Sequence, residues 1–185
     1  MDPLTTERLI LRDFVGMDWV AVYEIFSDPD VAQYTYLMDS AQSRKWVTGK
    51  LKNQCRTPRV AQGKAIVLQE QDKLIGWIEM SPPQFIGRPS VSGELSLSYA
   101  LHRSFWGHGY MTEAVRQMMN FAFESLQVPQ LVATCEVINT PSARVLERAG
   151  MIRAETYMHL ERGFMEIPYY RYEIDKTRYE TEVSS

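Results

Sequence analysis

Two glycines, Gly107 and Gly109, stand between a strand-like stretch and a helix-like one, and this junction is where the chain shows its chemistry most openly. Glycine lets a backbone come close to a ligand, and the N–H groups of a first helical turn have no intrahelical partners. Such a junction suits an anion, phosphate above all. An ordinary strand-to-helix turn accounts for the same glycines, and spacing alone leaves both readings open. Upstream, Leu95, Leu97, Tyr99 and Leu101 alternate with Ser96, Ser98 and Ala100, so 93–101 reads as a strand. Downstream, 110–126 reads as a helix. Met111, Ala114, Val115, Met118, Ala122 and Leu126 fall on one face, and Glu113, Arg116, Gln117, Asn120 and Glu124 fall mostly on the other.

The elements that must hold this junction follow from periodicity and punctuation. A first strand covers about 8–14. A helix over 18–27 offers Val20, Tyr23, Ile25 and Phe26 to a core, and Asp28-Pro-Asp30 breaks it. A second helix runs from Ser40 toward Gln54. Strands at 65–69 and 74–80 are joined by a polar turn over 70–73, and a Pro- and Gly-rich loop covers 81–92. The strand at 93–101 is then the fourth, and 131–137 is the fifth. Asn139 opens a helix with Pro141 in its first turn and Gly150 just past its end. Residues 151–162 and 167–174 read as a closing hairpin, and 176–185 as a loose polar tail. No repeat and no Pro/Gly/Ser-rich linker divides the chain, so one domain over 1–175 is expected, of α/β or α+β class.

Composition narrows the function. A chain of 185 residues with 45% hydrophobic and 23% charged residues fits a globular domain with a full core. A net charge of −3 argues against a dedicated nucleic-acid binder. No apolar run approaches the roughly 20 residues that span a bilayer, and the N-terminal residues lack a signal-peptide core. Cys55 and Cys135 form no CxxC pair, so free thiols and a cytoplasmic setting are expected. His102, His108 and His159 form no metal-ligand cluster, and no metal is expected.

Three kinds of nucleotide loop bear comparison with the glycine junction. A P-loop ends in Gly-Lys-Ser/Thr, whereas this one ends Gly-Tyr-Met-Thr. A dinucleotide fingerprint wants a third glycine where Thr112 stands, although Glu136 supplies the acidic residue near the end of the next strand. The third is the pyrophosphate loop of an acyl-CoA acyltransferase. The chain resembles the GNAT N-acetyltransferases, in the branch of the ribosomal-protein alanine and serine N-acetyltransferases RimJ and RimL. Four segments carry the resemblance, in order along the chain: Thr6-Glu-Arg-Leu-Ile-Leu-Arg12, Leu74-Ile-Gly-Trp77, Phe105-Trp-Gly-His-Gly-Tyr-Met-Thr-Glu-Ala114 and Asn139-Thr-Pro-Ser-Ala-Arg-Val-Leu-Glu-Arg-Ala-Gly150. One position departs. The family places Gln or Arg three residues before the first loop glycine, and here that residue is Ser104.

The resemblance implies a mixed, mostly antiparallel sheet of about seven strands flanked by helices, with the fourth and fifth strands splayed. It implies acetyl-CoA as cosubstrate, its pantetheine arm along Tyr99, Ala100 and Leu101. The pyrophosphate is then expected on Trp106, Gly107, His108, Gly109, Tyr110, Met111 and Thr112, with Arg103 and His108 adding phosphate contacts, and Asn139 is expected to contact the coenzyme. A backbone N–H near Ala100 or Leu101 would meet the developing oxyanion. Glu94 is the nearest fourth-strand carboxylate for the base, although Ser96 occupies the family's usual position, and Glu79 competes. Ser142 matches the hydroxyl that protonates the leaving thiolate in this branch. Asn139 and Ser142 are also ordinary first-turn capping residues.

The acceptor would be a primary amine, as a protein N-terminus or as a small molecule, with no nucleic acid or membrane partner and with the enzyme a monomer or homodimer. Tyr34, Tyr36, Trp46, the 81–92 loop, Tyr157 and Phe164 are its candidate contacts. A non-catalytic acyl-CoA-binding module and a dinucleotide-binding protein are the competing readings.

Overall fold

The computed structural model describes residues 2–59, 61–83, 92–161 and 165–183. Eight strands follow the hydrogen-bonded order β1-β2-β3-β4-β5-β6-β8-β7, defined below. The chain divides into two units, Met1–Ser81 with Ser98–Gln117, and Pro82–Leu97 with Met118–Ser185.

In the first unit β1 (Leu4–Thr5), β2 (Leu9–Arg12), β3 (Gln62–Leu68) and β4 (Lys73–Ser81) pair antiparallel in succession. The two-residue β1 is the strand missing from the expected seven. It lacks the four residues that a periodicity needs to be visible. The C-terminal part of β5 (Leu95–Leu101) approaches β4 closely, and the His102 N–H donates to the Ile75 carbonyl at 2.8 Å. A Cβ on Gly76 would stand 2.6 Å from the Ala100 carbonyl oxygen, so the glycine of Leu74-Ile-Gly-Trp77 is a clearance requirement.

Helices α1 (Trp19–Ser27), α2 (Pro29–Ala32) and α3 (Ser40–Gln54) complete this unit. Asp28 caps α2, and Asp39 forms a capping box with Gln42 at the start of α3. The core face of α1 is Val22, Ile25 and Phe26, whereas the expected core residues Val20 and Tyr23 are exposed. The helix is apolar nearly all round, so its sequence did not single out the inward face. Phe14, Phe26 and Trp77 form one buried cluster with Ala100, against which Trp46 and Trp106 pack.

In the second unit, residues 95–97 of β5 run parallel to 131–133 of β6 (Gln130–Glu136). Antiparallel to β6 lies β8 (Met165–Asp175), and β7 (Ile152–Glu161) pairs outside it as the expected hairpin. Helix α4 (Tyr110–Asn120) leads into a π-helical turn, Phe121–Ser125, and this irregularity buries Phe121 and Phe123 beside the expected Ala122. Helix α5 is Thr140–Arg148. The expected loose tail is instead helix α6 (Lys176–Val183), whose Tyr179 is buried and stacks on Phe123 at 4.8 Å. One aromatic anchor in a polar segment was enough to dock it, and periodicity does not register a single anchor.

Candidate active site

The glycine junction has the backbone that its sequence required. Gly107 and Gly109 lie at φ +80° and +81°, which favours glycine. A Cβ at Gly107 would meet nothing within 4 Å, so its side-chain position is open. The first bond of the following helix runs from the Glu113 N–H to the Gly109 carbonyl, at 3.1 Å. The N–H groups of Tyr110, Met111 and Thr112 therefore have no intrahelical partner and are available to an anion at the positive end of the helix dipole. Trp106 braces the loop by donating its indole N–H to the Leu101 carbonyl at 2.8 Å. His108 is exposed, with its Nδ1 2.8 Å from the Trp106 carbonyl and its ring stacked on Tyr110. Arg103 flanks the loop. It pairs with Asp30 at 3.1 Å and lies over the Trp106 ring. Ser104 is exposed and spends its backbone N–H on His102 Nδ1.

A clamp that the sequence reading missed fixes this loop from behind. Arg8 donates from Nε to Glu113 Oε2 at 2.7 Å and from its backbone N–H to Oε1 at 3.0 Å. Thr6 Oγ1 donates to the same Oε1 at 2.5 Å. A second guanidinium nitrogen of Arg8 donates to the His108 carbonyl at 3.1 Å, and the group lies 4.6 Å above the Tyr110 ring. Burial opposes the charge of Glu113, but the hydrogen bonds from Thr6 and Arg8 outweigh it and hold the carboxyl below its usual range. The signal was present in the Thr6-Glu-Arg8 and Thr112-Glu-Ala114 motifs, but nothing local joined them.

On β5, Tyr99 is half-buried and Ala100 and Leu101 are buried. The ladder to β6 ends at the pair Leu97 and Ala133, and β5 continues for 98–101. Glu79, on β4, is ion-paired with Lys50 at 2.5 Å. Trp46 hydrogen-bonds the Tyr36 hydroxyl, and burial is the main cause raising the Tyr36 pKa, with the charge of Glu79 adding to it. Tyr36 is about half covered, with 48% of its surface exposed, and stacks on Phe26, and Tyr34 is half-buried.

In the second unit Asn139 is the N-cap of α5, and its Oδ1 accepts from the Ser142 N–H at 3.1 Å. Ser142 also hydrogen-bonds the buried Cys135 thiol. Burial pushes that thiol up to about 11, with the charges of Glu147 and Glu136 adding and the Ser142 contact opposing. Glu94 is buried, and its Oε2 has no hydrogen-bond partner among the described residues. Arg171 stands 3.8 Å from that oxygen and is also bonded to Glu173, which accepts from Gln130. Tyr157 is half-buried near Tyr169. Phe164 and most of the 81–92 loop lie outside the described residues.

Among the described residues no group of His, Cys, Asp or Glu is placed to hold a metal, and no helix is long and apolar enough to cross a membrane. What the loop offers is a row of unspent backbone donors at a helix N-terminus with open space at Gly107, a chemical fit to the pyrophosphate of coenzyme A.

Known proteins point the same way. The family model for the acetyltransferase (GNAT) domain matches residues 8–152. The chain is 28% identical to the uncharacterised N-acetyltransferase YnaD of Bacillus subtilis, covering 81% of this chain and 82% of that one. It is 29% identical to the uncharacterised N-acetyltransferase p20 of Bacillus licheniformis, covering 83% and 86%. In fold it is similar to a GNAT-family acetyltransferase from Bacillus anthracis, with a TM-score of 0.81 at 24% identity over 95% of this chain and 99% of that one. The ribosomal-protein-S5-alanine acetyltransferase from Vibrio fischeri shares the fold at TM-score 0.78 and 16% identity, over 95% and 97%. The aminoglycoside acetyltransferase AAC(6')-Ib, solved with coenzyme A, shares it at 0.75 and 16%, over 94% and 98%. With the glycine loop, its helix and the family match over 8–152 in agreement, the chain belongs to the GNAT acetyltransferases, which take the acetyl group from acetyl-CoA.

Proposed function

We propose that this acetyl-CoA-dependent N-acetyltransferase acts on a primary amine of low pKa, in the first place the α-amine of a protein or peptide N-terminus, as in the RimJ and RimL branch. The observation that carries this reading is the state of its two candidate bases. Glu79 is ion-paired with Lys50, and Glu94 is buried against Arg171. Freeing a lysine amine of its proton near pH 7 costs about 4.6 kcal/mol, whereas an α-amine costs only about 1–1.4 kcal/mol. A site whose carboxylates are already engaged suits the second acceptor.

In the reaction the amine nitrogen bonds to the acetyl carbon, the carbon–sulfur bond breaks, and a proton travels from amine to thiolate. Backbone N–H groups of 106–112 hold the pyrophosphate, 99–101 of β5 line the pantetheine arm, and a backbone N–H near Ala100 or Leu101 faces the acetyl oxygen. Asn139 adds a contact to the cosubstrate while capping α5. Ser142 delivers the proton to sulfur. With both carboxylates engaged, the amine gives its proton to water, and Glu79 is favoured over Glu94 only as a relay beyond that water. Glu79 keeps 15% of its side-chain surface exposed, while Glu94 keeps 2%. Glu94 also precedes Tyr99 by five strand residues, about 16 Å. The protein works in the cytoplasm, where such acceptors and acetyl-CoA meet.

Thiol release with two peptides tests the acceptor. One has a free N-terminus and a blocked lysine, and the other is acetyl-capped with a free lysine. The first is expected to react faster, with turnover rising with pH and levelling near the α-amine pKa of about 8. Equal or better rates on the lysine peptide overturn the proposal.

A further inference from the structure

The ion pair of Lys50 and Glu79 sits inside a structure that suits a small ammonium ion. Lys50 Nζ lies 4.4 Å from the Trp46 ring centroid and 5.9 Å from that of Trp77, both within cation–π range. The two indoles are 5.3 Å apart and inclined by 59°, and Glu79 closes the arrangement at 2.5 Å. Gly63 on β3 leaves the room for it. A Cβ there would stand 2.8 Å from Glu79 Oε2 and 3.6 Å from Lys50 Cδ. The cage is joined to Tyr36 through Trp46, and its Trp77 belongs to the same buried cluster as Ala100 of β5. Trp77 is almost wholly buried, and its Nε1 has no hydrogen-bond partner among the described residues. Both charged side chains keep some access to solvent, with Lys50 16% and Glu79 15% exposed.

We propose that Lys50 occupies the ammonium position of an acceptor subsite made by Trp46, Trp77 and Glu79, and so restricts the enzyme to monoamines with an uncharged flank. The carboxylate and both indole faces are already spent on the chain's own cation. A second ammonium arriving on a polyamine meets a like charge instead of a receptor. An N-terminal residue with an apolar side chain brings no second charge and packs on the exposed face of Tyr36. This rests on the low-pKa amine reading and extends it to the atoms around that amine.

The test replaces Lys50 by Met, which keeps the length and apolar stem and removes the charge. Tryptophan fluorescence is titrated with 1,5-diaminopentane and with n-pentylamine, without acetyl-CoA. The wild-type protein is expected to bind the diamine no better than the monoamine. Lys50→Met is expected to bind both amines about tenfold more tightly than the wild type, because Glu79 and both rings are released to a ligand ammonium. Adding Glu79→Gln to Lys50→Met should remove that gain. Should Lys50→Met fail to fold by circular dichroism, Lys50→Gln carries the same titration, since it is neutral and keeps a donor to Glu79. Turnover on an apolar N-terminal dipeptide and on kanamycin is measured alongside, and the ratio of their kcat/KM values should move toward kanamycin in the variant. A wild-type preference for the diamine, or a ratio unmoved in the neutral variant, overturns the proposal. Silence in turnover with the fluorescence gain present would sink the acceptor reading and leave the subsite standing. Turnover on the dipeptide with an unmoved ratio would do the reverse.

Discussion

Ser142 has two partners before any substrate arrives: its N–H serves the Asn139 cap, and its hydroxyl meets the Cys135 thiol. Those contacts fix the side chain on the first turn of α5, as a proton donor requires, and they also account for the residue without catalysis. Ser142→Ala separates the two. As general acid, its loss should lower kcat about 10²–10⁴-fold, with the KM for acetyl-CoA little changed. A fall of less than a few-fold, with a lowered Tm, would assign it to the cap and the thiol. The raised pKa of Cys135 means that its thiol stays protonated near neutral pH, so Cys135 is no competing nucleophile.

At the scale of elements, the phosphate loop belongs to two segments far apart in the chain. Its own glycines shape it, but Thr6 and Arg8, in the turn between β1 and β2, hold Glu113 and the His108 carbonyl. We expect Arg8→Ala to raise the KM for acetyl-CoA about tenfold with kcat largely kept, because the loop loses its preorganisation and not its donors. Arg8→Lys, which keeps the charge but not the forked geometry, should recover only part of that affinity. Gly109→Val is expected to be harsher. A β-branched residue at φ +81° is strained, and its side chain would crowd the Arg8 guanidinium, already 3.6 Å from a bare Cβ. Isothermal titration with coenzyme A on the folded variants checks both, and unchanged affinity in Gly109→Val would remove the loop from the cofactor site.

For the molecule as a whole, acid stability turns on a charge cluster in the first unit. Asp13 accepts from Arg59 at 2.7 and 3.0 Å and from the fully buried Lys64 at 2.8 Å. Burial alone would raise the Asp13 pKa, but the hydrogen bonds and charges of Arg59 and Lys64 hold it at about 2, against an ordinary 3.8. A carboxyl depressed on folding stabilises the native state above its unfolded pKa and loses that contribution as pH falls through the native one. The corresponding window is about pH 4 down to 2, for about 2 kcal/mol. Urea midpoints measured across it should fall steeply in the wild type and less steeply in Asp13→Asn. At neutral pH the variant should be destabilised by about 3–5 kcal/mol, since it strips a charge from a buried ammonium. Parallel slopes would assign the acid sensitivity elsewhere.

The sequence by itself determined whatever depends on near neighbours. Alternation located β5, a 3.6-residue period located α4, and Asn139, Pro141 and Gly150 bounded α5 at nearly the observed residues. Gly107 and Gly109 marked the anion loop because a left-handed φ is a property of one residue and its adjoining peptides. Tertiary structure decided what depends on residues distant in the chain. Glu113 meets Arg8 across 105 positions, and Glu79 meets Lys50 across 29. No local period encodes such a meeting, and a strand-face carboxylate reads the same in sequence whether a cation covers it or not. The docking of α6 through Tyr179 and the placing of β8 between β6 and β7 are of the same kind. Each is a choice among partners for one apolar surface or one free strand edge, and that choice is made only when the remaining elements compete for it.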